Sequence, residues 1–181
     1  MIGGVAPICT GGAVDGLHLE MPEDWWAVEA LYDTCFAPGR QALSSYRLRD
    51  GVDPVADLCL VARDGDAVGG AIRTWPVCVG SARALLIGPV AVHPTRQGEG
   101  LGGALIRGVL ARAVPLGEAR ALLVGDAPYY GRFGFRRLAG VTMPSPTNPD
   151  RVLGRALLPG AWDGIAGPVR PAISTGGESS A

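Results

Sequence analysis

The chain contains no lysine; all 16 of its basic residues are arginine. That excludes a Walker-type phosphate loop, which needs its lysine, and any chemistry through a lysine Schiff base. Histidine is nearly absent too. His18 and His93 are the only two, and neither has a Cys, His or Glu cluster near it. A catalytic zinc site is therefore not expected. No G-x-S-x-G occurs, so the nucleophile elbow of a serine hydrolase is missing. No apolar run approaches 18 residues, so no membrane span is expected. The first residues, MIGGVAPICTGGAVDG, lack both the basic start and the apolar stretch of a secretory signal. The cysteines at 9, 35, 59 and 78 match no metal or redox spacing. They are expected as reduced, small apolar groups in a cytoplasmic protein. A net charge of −1 offers no field to attract nucleic acid or an anionic membrane.

What is present is a globular composition, 48% hydrophobic over 181 residues, enough for one domain with its own core. Residues 1–16, rich in glycine and small side chains, read as a flexible arm, and 171–181, ending in STGGESSA, as a disordered tail. A single domain is expected over 17–170. GLHLE at 16–20 alternates like a strand. The stretch 22–36 reads as a helix: Pro22 suits its first turn, Glu23 and Asp24 suit its dipole, and Val28, Leu31, Tyr32 and Cys35 share a face. Residues 40–51 read as a shorter helix. Two strands joined at Asp64-Gly65 form a hairpin. ALLIGPVAVHP at 84–94 is a buried strand interrupted at Gly88-Pro89, where proline forces a bulge or a loss of pairing. A helix over 100–114, a strand at 119–126, a short helix opened by Pro128 and weaker late strands follow. The order predicts a mixed α/β domain around one sheet.

The segment Gly98-Glu99-Gly100-Leu101-Gly102-Gly103 satisfies G-x-G-x-x-G, the dinucleotide fingerprint. Its context does not. Five residues, His93 to Gln97, separate the end of the strand from Gly98, whereas the fingerprint places its first glycine at the strand tip. Glu118 has the spacing of the ribose-binding acid but lies at the start of the next strand, the wrong end. Physically, a glycine-rich entry to a helix exposes several backbone N–H groups without Cβ atoms in the way, which suits a pyrophosphate. A tight strand-to-helix turn, with glycines for packing, is the plain alternative.

Three features align around this loop. A bulged strand, LLIGPVAV, precedes it; the loop carries Gln97, Gly100 and Gly102 in a Q/R-x-x-G-x-G/A pattern; and a second buried strand ends in GDAPYYGRFGF, with Tyr129, Tyr130, Gly134 and Phe135. This set resembles the GNAT superfamily of acetyl-CoA-dependent N-acetyltransferases, most nearly its bacterial YhbS-like branch. The resemblance is specific from about 84 to 138. It implies an acyl-CoA N-acyltransferase fold, a mostly antiparallel central sheet splayed at a bulged strand and flanked by helices. It implies acetyl-CoA as cosubstrate, with pantetheine along the backbone of Val90 and Val92 and pyrophosphate over Gln97, Gly98, Glu99, Gly100, Leu101, Gly102 and Gly103. Glu99 should turn its side chain to water, leaving only its backbone to matter. Tyr130, aligned with the family's tyrosine, is the candidate acid for the leaving thiolate; Tyr129 should pack.

The reaction so implied is direct transfer of an acetyl group to a primary amine, on a small molecule, a peptide or a protein lysine. The alternative is a non-catalytic module of the same fold that binds CoA as a sensor or partner surface. Some family members use a glutamate on the bulged strand as base, and no acid lies between Ala84 and Val92 here. Asp126, Asp57 and a water chain remain open, with capping of the helix near Pro128 as the ordinary role of Asp126. Arg40, Arg47 and Arg49 read as a solvated helix face, with recognition of a carboxylate or phosphate on the acceptor as the alternative. Trp25, Trp26 and Trp75 read as core or interface residues rather than ligand platforms. A homodimer is compatible with all of this.

Overall fold

The computed structural model describes residues 16–36, 40 and 45–172. One sheet organises them. Its strands are β1 (Leu17–Leu19), β2 (Leu60–Asp64), β3 (Ala67–Val79), β4 (Ala82–Val92), β5 (Arg120–Val124), β6 (Arg136–Arg137), β7 (Val141–Thr142), β8 (Val152–Ala156) and β9 (Gly167–Pro171). The main order is β1-β2-β3-β4-β5-β8-β6, with β9 paired to the end of β3 and β7 to β9. Neighbours are antiparallel except β4 with β5 and β7 with β9. The helices are α1 (Trp25–Phe36), α2 (Leu101–Ala113) and the short α3 (Ala127–Gly131). The mixed α/β class and mostly antiparallel sheet are those expected.

Local chemistry accounts for the boundaries. A turn at Pro22–Asp24 leads into α1, and the Asp24 carboxylate accepts the Met21 N–H at 2.9 Å. The β2–β3 hairpin closes at the pair Asp64↔Ala67, with Gly65 left-handed at φ +59° in its tip. In α2 the residues Leu101, Leu105, Ile106, Val109 and Leu110 are all buried, packed with Leu60, Ile72, Leu85, Ile87 and Leu123 on one face of the sheet. The helix lies close because Gly108 has no side chain; a Cβ there would meet the Leu60 Cδ1 at 2.9 Å. On the other face α1 seats Val28, Leu31 and Tyr32 on Val61, Ala71 and Ala91. Further along that face, Val77, Val79, Leu86, Leu122, Val152 and Val169 form a third cluster.

Two departures from the sequence reading have clear causes. The helix expected over 40–51 is, within the described residues, a single turn at Tyr46–Leu48. Its arginines are drawn inward: Arg40 is buried between Glu29 and Asp33, and Arg49 stacks on Tyr46. Tertiary pairing overrides the local pattern there. Strand β9 is rich in Gly and Pro and carried no strand signal. Its pairing Val77↔Pro171 and the Ala172 N–H to Pro76 O contact at 3.3 Å tie it to β3. Residues 1–15 and 173–181, where the arm and tail are expected, lie outside the described residues. Among the described residues no helix is long and apolar enough to cross a membrane.

Candidate active site

The site begins with a surplus residue. Against β3, the register of β4 passes from Thr74↔Ile87 to Ile72↔Val90, so Gly88 and Pro89 together face one residue. On its other side β4 pairs with β5 only at Leu85↔Ala121 and Leu86↔Leu122. Beyond Leu86 the two strands part, at the position the sequence assigned to the bulge. The His93 N–H bonds back to Gly69 O at 2.8 Å. Antiparallel backbone groups alternate, so the N–H groups of Val90 and Val92 point away from β3, into the gap. The Tyr32 hydroxyl donates to Pro89 O at 3.3 Å and braces the bulge from beneath.

A groove of about 590 Å³ opens on this gap. Val90, Val92 and Tyr130 line it, with Gln97, Gly98, Gly100, Leu101, Gly102 and Gly103 along its loop wall. Gly98 and Gly100 are left-handed (φ +86° and +84°), and a Cβ on either would point into open space. At Gly102 a Cβ would come within 3.1 Å of the Tyr129 hydroxyl, and at Gly103 within 3.4 Å of the Phe133 ring. Side chains at these four positions would fill the cradle. The Gln97 side chain donates to Val92 O at 3.3 Å, tying the loop to the strand. Of the residues expected to hold the cofactor, only Glu99 stays off the groove: it is exposed and paired with Arg96 at 2.7 Å, in the outward pose expected. Sequence reasoning missed Arg96, Arg107 and Arg132, which line the same groove. Arg107 follows Gly103 by one helical turn, and that spacing was the available signal.

Tyr130 is placed by a glycine that carried no signal alone. A Cβ at Gly125, just past β5, would collide with the Tyr130 ring. Gly125 thus lets the ring lie against the end of β5, held edge-on by Tyr129 (4.9 Å between centroids) and Phe135 (6.1 Å). Burial pushes the Tyr130 phenol above its ordinary value of 10.0; the neighbouring Tyr129 adds to this and Arg151 opposes it. Tyr130 and Val90 also line a second, smaller cavity of about 140 Å³, together with Phe36, Tyr46, Arg49 and Val124. Neither Asp126 nor Asp57 lines either cavity, and Asp126 makes no side-chain cap on α3. Among the described residues no cluster of His, Cys, Asp and Glu is suited to a metal.

Behind the small cavity lies an arginine–carboxylate network invisible in sequence order. Arg73, 4% exposed, binds Glu20 and Glu29, each at 2.5 Å. Arg40 binds Glu29 at 2.5 Å and Asp33 at 2.8 Å. Burial alone would raise the Glu29 carboxyl, but hydrogen bonds and charge from Arg40 and Arg73 outweigh it and hold it below 4.5. The solvated face read for Arg40 and Arg49 is corrected accordingly; only Arg47 is exposed. Trp75 is buried as expected, whereas Trp25 and Trp26 stand at the surface.

A cleft between parting strands, flanked by a glycine cradle at a helix N-terminus, is the architecture of acyl-CoA N-acyltransferases. A model of the "Acetyltransferase (GNAT) domain" matches residues 56–137. YhbS of Escherichia coli K12, named an uncharacterized N-acetyltransferase, is 31% identical over 126 residues, covering 68% of this chain and 74% of that protein. YjhQ of the same strain, also named an uncharacterized N-acetyltransferase, is 38% identical over 87 residues. That match covers 46% of this chain and spans about half of YjhQ, 48% of its length. The crystal structure of Escherichia coli YhbS in complex with CoA superposes with a TM-score of 0.76 at 27% identity, over 91% of this chain and 93% of that one. A GNAT family acetyltransferase from Brucella melitensis in complex with acetyl-CoA gives 0.65 at 30% identity, over 85% and 93%. The chain belongs to the GNAT acetyltransferase family. Within that family it is YhbS-like.

Proposed function

We propose that this protein is a cytoplasmic acetyl-CoA-dependent N-acetyltransferase, its chemistry carried by one domain over residues 17–170. The observation that carries the reading is the gap between β4 and β5 with the glycine cradle at its end. The unpaired Val92 N–H and the Val90 carbonyl can pair with the amides of a pantetheine arm as an added strand would. Open space above Gly98 and Gly100, at the N-terminus of α2, fits a pyrophosphate; Arg107 and Arg132 add positive charge along the groove, whereas Arg96 is paired with Asp64 and Glu99. The free thiols of Cys35, Cys59 and Cys78 agree with a reducing compartment.

Acetyl-CoA supplies the activated thioester carbonyl. The Val90 N–H is the fixed donor for charge developing on the carbonyl oxygen. The Tyr130 hydroxyl delivers the proton to the departing sulfur. A thiol titrates near ~8.5 and a free phenol near ~10, and burial makes the phenolate dearer still. The same burial raises the proton affinity of a thiolate formed beside it, so transfer becomes feasible as the C–S bond breaks. Tyr130 and Val90 belong to both cavities, so an amine in the small one meets the reacting carbon where they join.

A purely CoA-binding module is the second reading, favoured by one observation: no described carboxylate or histidine lines the small cavity to serve as base. Thermal unfolding and a thiol-release assay across primary amines separate the readings. Acetyl-CoA at about a hundredfold excess over its dissociation constant should add about 2.7 kcal/mol, or roughly 5–10 °C for a chain of this size. No shift at millimolar ligand would count against both readings, whereas a shift without turnover of any amine would favour the module.

A further inference from the structure

Three arginines converge behind the bulge, and two of them are neutralised. Arg73 has Glu20 and Glu29; Arg40 has Glu29 and Asp33. Arg49 has neither. Among the described residues no carboxylate lies within ion-pair distance of it, and residues 37–44, APGRQALS, contain no acid. Its guanidinium lies 4.1 Å from the Tyr46 ring centre and 5.6 Å from that of Trp75, and its Nε is buried without a hydrogen-bond partner. Arginine remains charged in such a setting, so this is a desolvated cation without a counter-ion. Burial accordingly pushes its ionisation below the ordinary arginine range.

Its position gives that charge a use. The small cavity at the bulge and a larger one of about 350 Å³, lined by Glu29, Arg73 and Trp75, share Tyr46, Arg49 and Pro89. Arg49, Val90 and Tyr130 all line the small cavity. Its other walls include Phe36, Leu86, Ile87 and Val124, which offer an ammonium group nothing to pair with. A cation and the acetyl-transfer point in the walls of one cavity select a molecule that carries both an anion and a neutral amine.

We propose that the acceptor is a small primary amine bearing a carboxylate, and that Arg49 receives that carboxylate. This rests on the acetyltransferase reading above. Arg49 acts here as a specificity residue; bond making stays with the groups at the gap.

Matched pairs test it: glycine against glycinamide, β-alanine against its amide, phenylalanine against its amide. Thiol release is followed at saturating acetyl-CoA, with rates compared per concentration of neutral amine. The acid member should be preferred in kcat/KM by roughly 10- to 100-fold. Arg49→Gln should remove the preference through KM, Arg49→Lys should restore part of it, and both should keep the thermal shift with acetyl-CoA. Should Arg49→Gln not fold, the wild-type preference alone decides. Equal or faster turnover of the amides, a preference that survives Arg49→Gln, or turnover confined to phosphorylated amines or peptide lysines would each overturn the proposal and leave the acetyltransferase reading standing. Turnover of neither member of any pair, with the thermal shift intact, would also overturn it. Absence of any acetyl-CoA shift removes the acetyltransferase reading itself, and this inference with it.

Discussion

The two sides of the cleft are made of different material. Toward α2, the groove is backbone: unpaired N–H groups on β4, two left-handed glycines and a helix N-terminus, with three arginines at its rim. Toward α1, the walls are side chains from segments far apart in the chain, with Arg73 from β3 bound to Glu20 and Glu29, and Arg40 and Tyr46 from the turn region. Backbone recognition suits a ligand part that never varies, because it needs only a chain path and the absence of Cβ atoms. Side-chain recognition suits the part that differs from one relative to the next, because it can be altered one residue at a time.

Substitutions can break or sharpen this contrast. The largest effect is expected from Arg73→Ala. It leaves Glu20, 9% exposed on its side chain, without its counter-charge. Breaking such a pair costs about 3–5 kcal/mol, read by urea denaturation. A loss below about 1 kcal/mol, the range of exposed pairs, would mean that apolar packing, not charge, holds the α1 side together. Next comes Tyr130→Phe, which removes one proton and almost no volume. It should lower kcat about 100-fold while the acetyl-CoA thermal shift stays intact; unchanged turnover would remove Tyr130 from proton delivery. Because burial raises the Tyr130 phenol, its protonated form persists above pH 10.0, and kcat should not fall through its ionisation between pH 8 and 9.5. The smallest effect concerns Glu29. Its folded value lies below 4.5, so its stabilisation is complete above that pH and disappears as pH falls through the lower folded value. The stability difference between wild type and Glu29→Gln should therefore be flat from pH 8 to 5 and shrink in more acid solution. A difference that already shrinks above pH 5 would show that Glu29 is not held by the arginines.

The same division separates what was legible in sequence from what was not. The bulge at Gly88-Pro89, the loop at 97–103, the helix behind it and the tyrosine pair were all readable, because each is a local pattern with a local cause. Arg40, Arg49 and Arg73 were not. Their partners lie up to 53 residues away, and nothing at Arg73 announces Glu20. Arg49 was set on a solvated face because a short helix was assumed where the described residues show one turn at Tyr46–Leu48. Strand β9 escaped for a related reason: its Gly and Pro argue against a strand, and only the distant strands β3 and β7 recruit it. Gly125 is the intermediate case. It stands inside the quoted tyrosine motif, but its purpose appears only when the Tyr130 ring is seen to occupy the place of its missing Cβ.

The surplus residue on β4 also works as a phase shifter. Before it, the odd-numbered Leu85 and Ile87 face α2; after it, the even-numbered Val90 and Val92 do, while Ala91 turns to α1. On β3, opposite, even numbers face α2 from Gly70 through Ile72, and odd numbers face the other way from Ala71 through Val79. Removing a single residue between Ile87 and Val90 would restore plain alternation against β3, with one residue instead of two opposite Arg73. Val90 and Val92 would still face α2 and Ala91 α1, but the bend that the bulge gives the strand beyond Leu86, where it parts from β5, would be lost. The capacity to hold a ligand is in this sense written as a count, one surplus residue of backbone, rather than as any particular side chain.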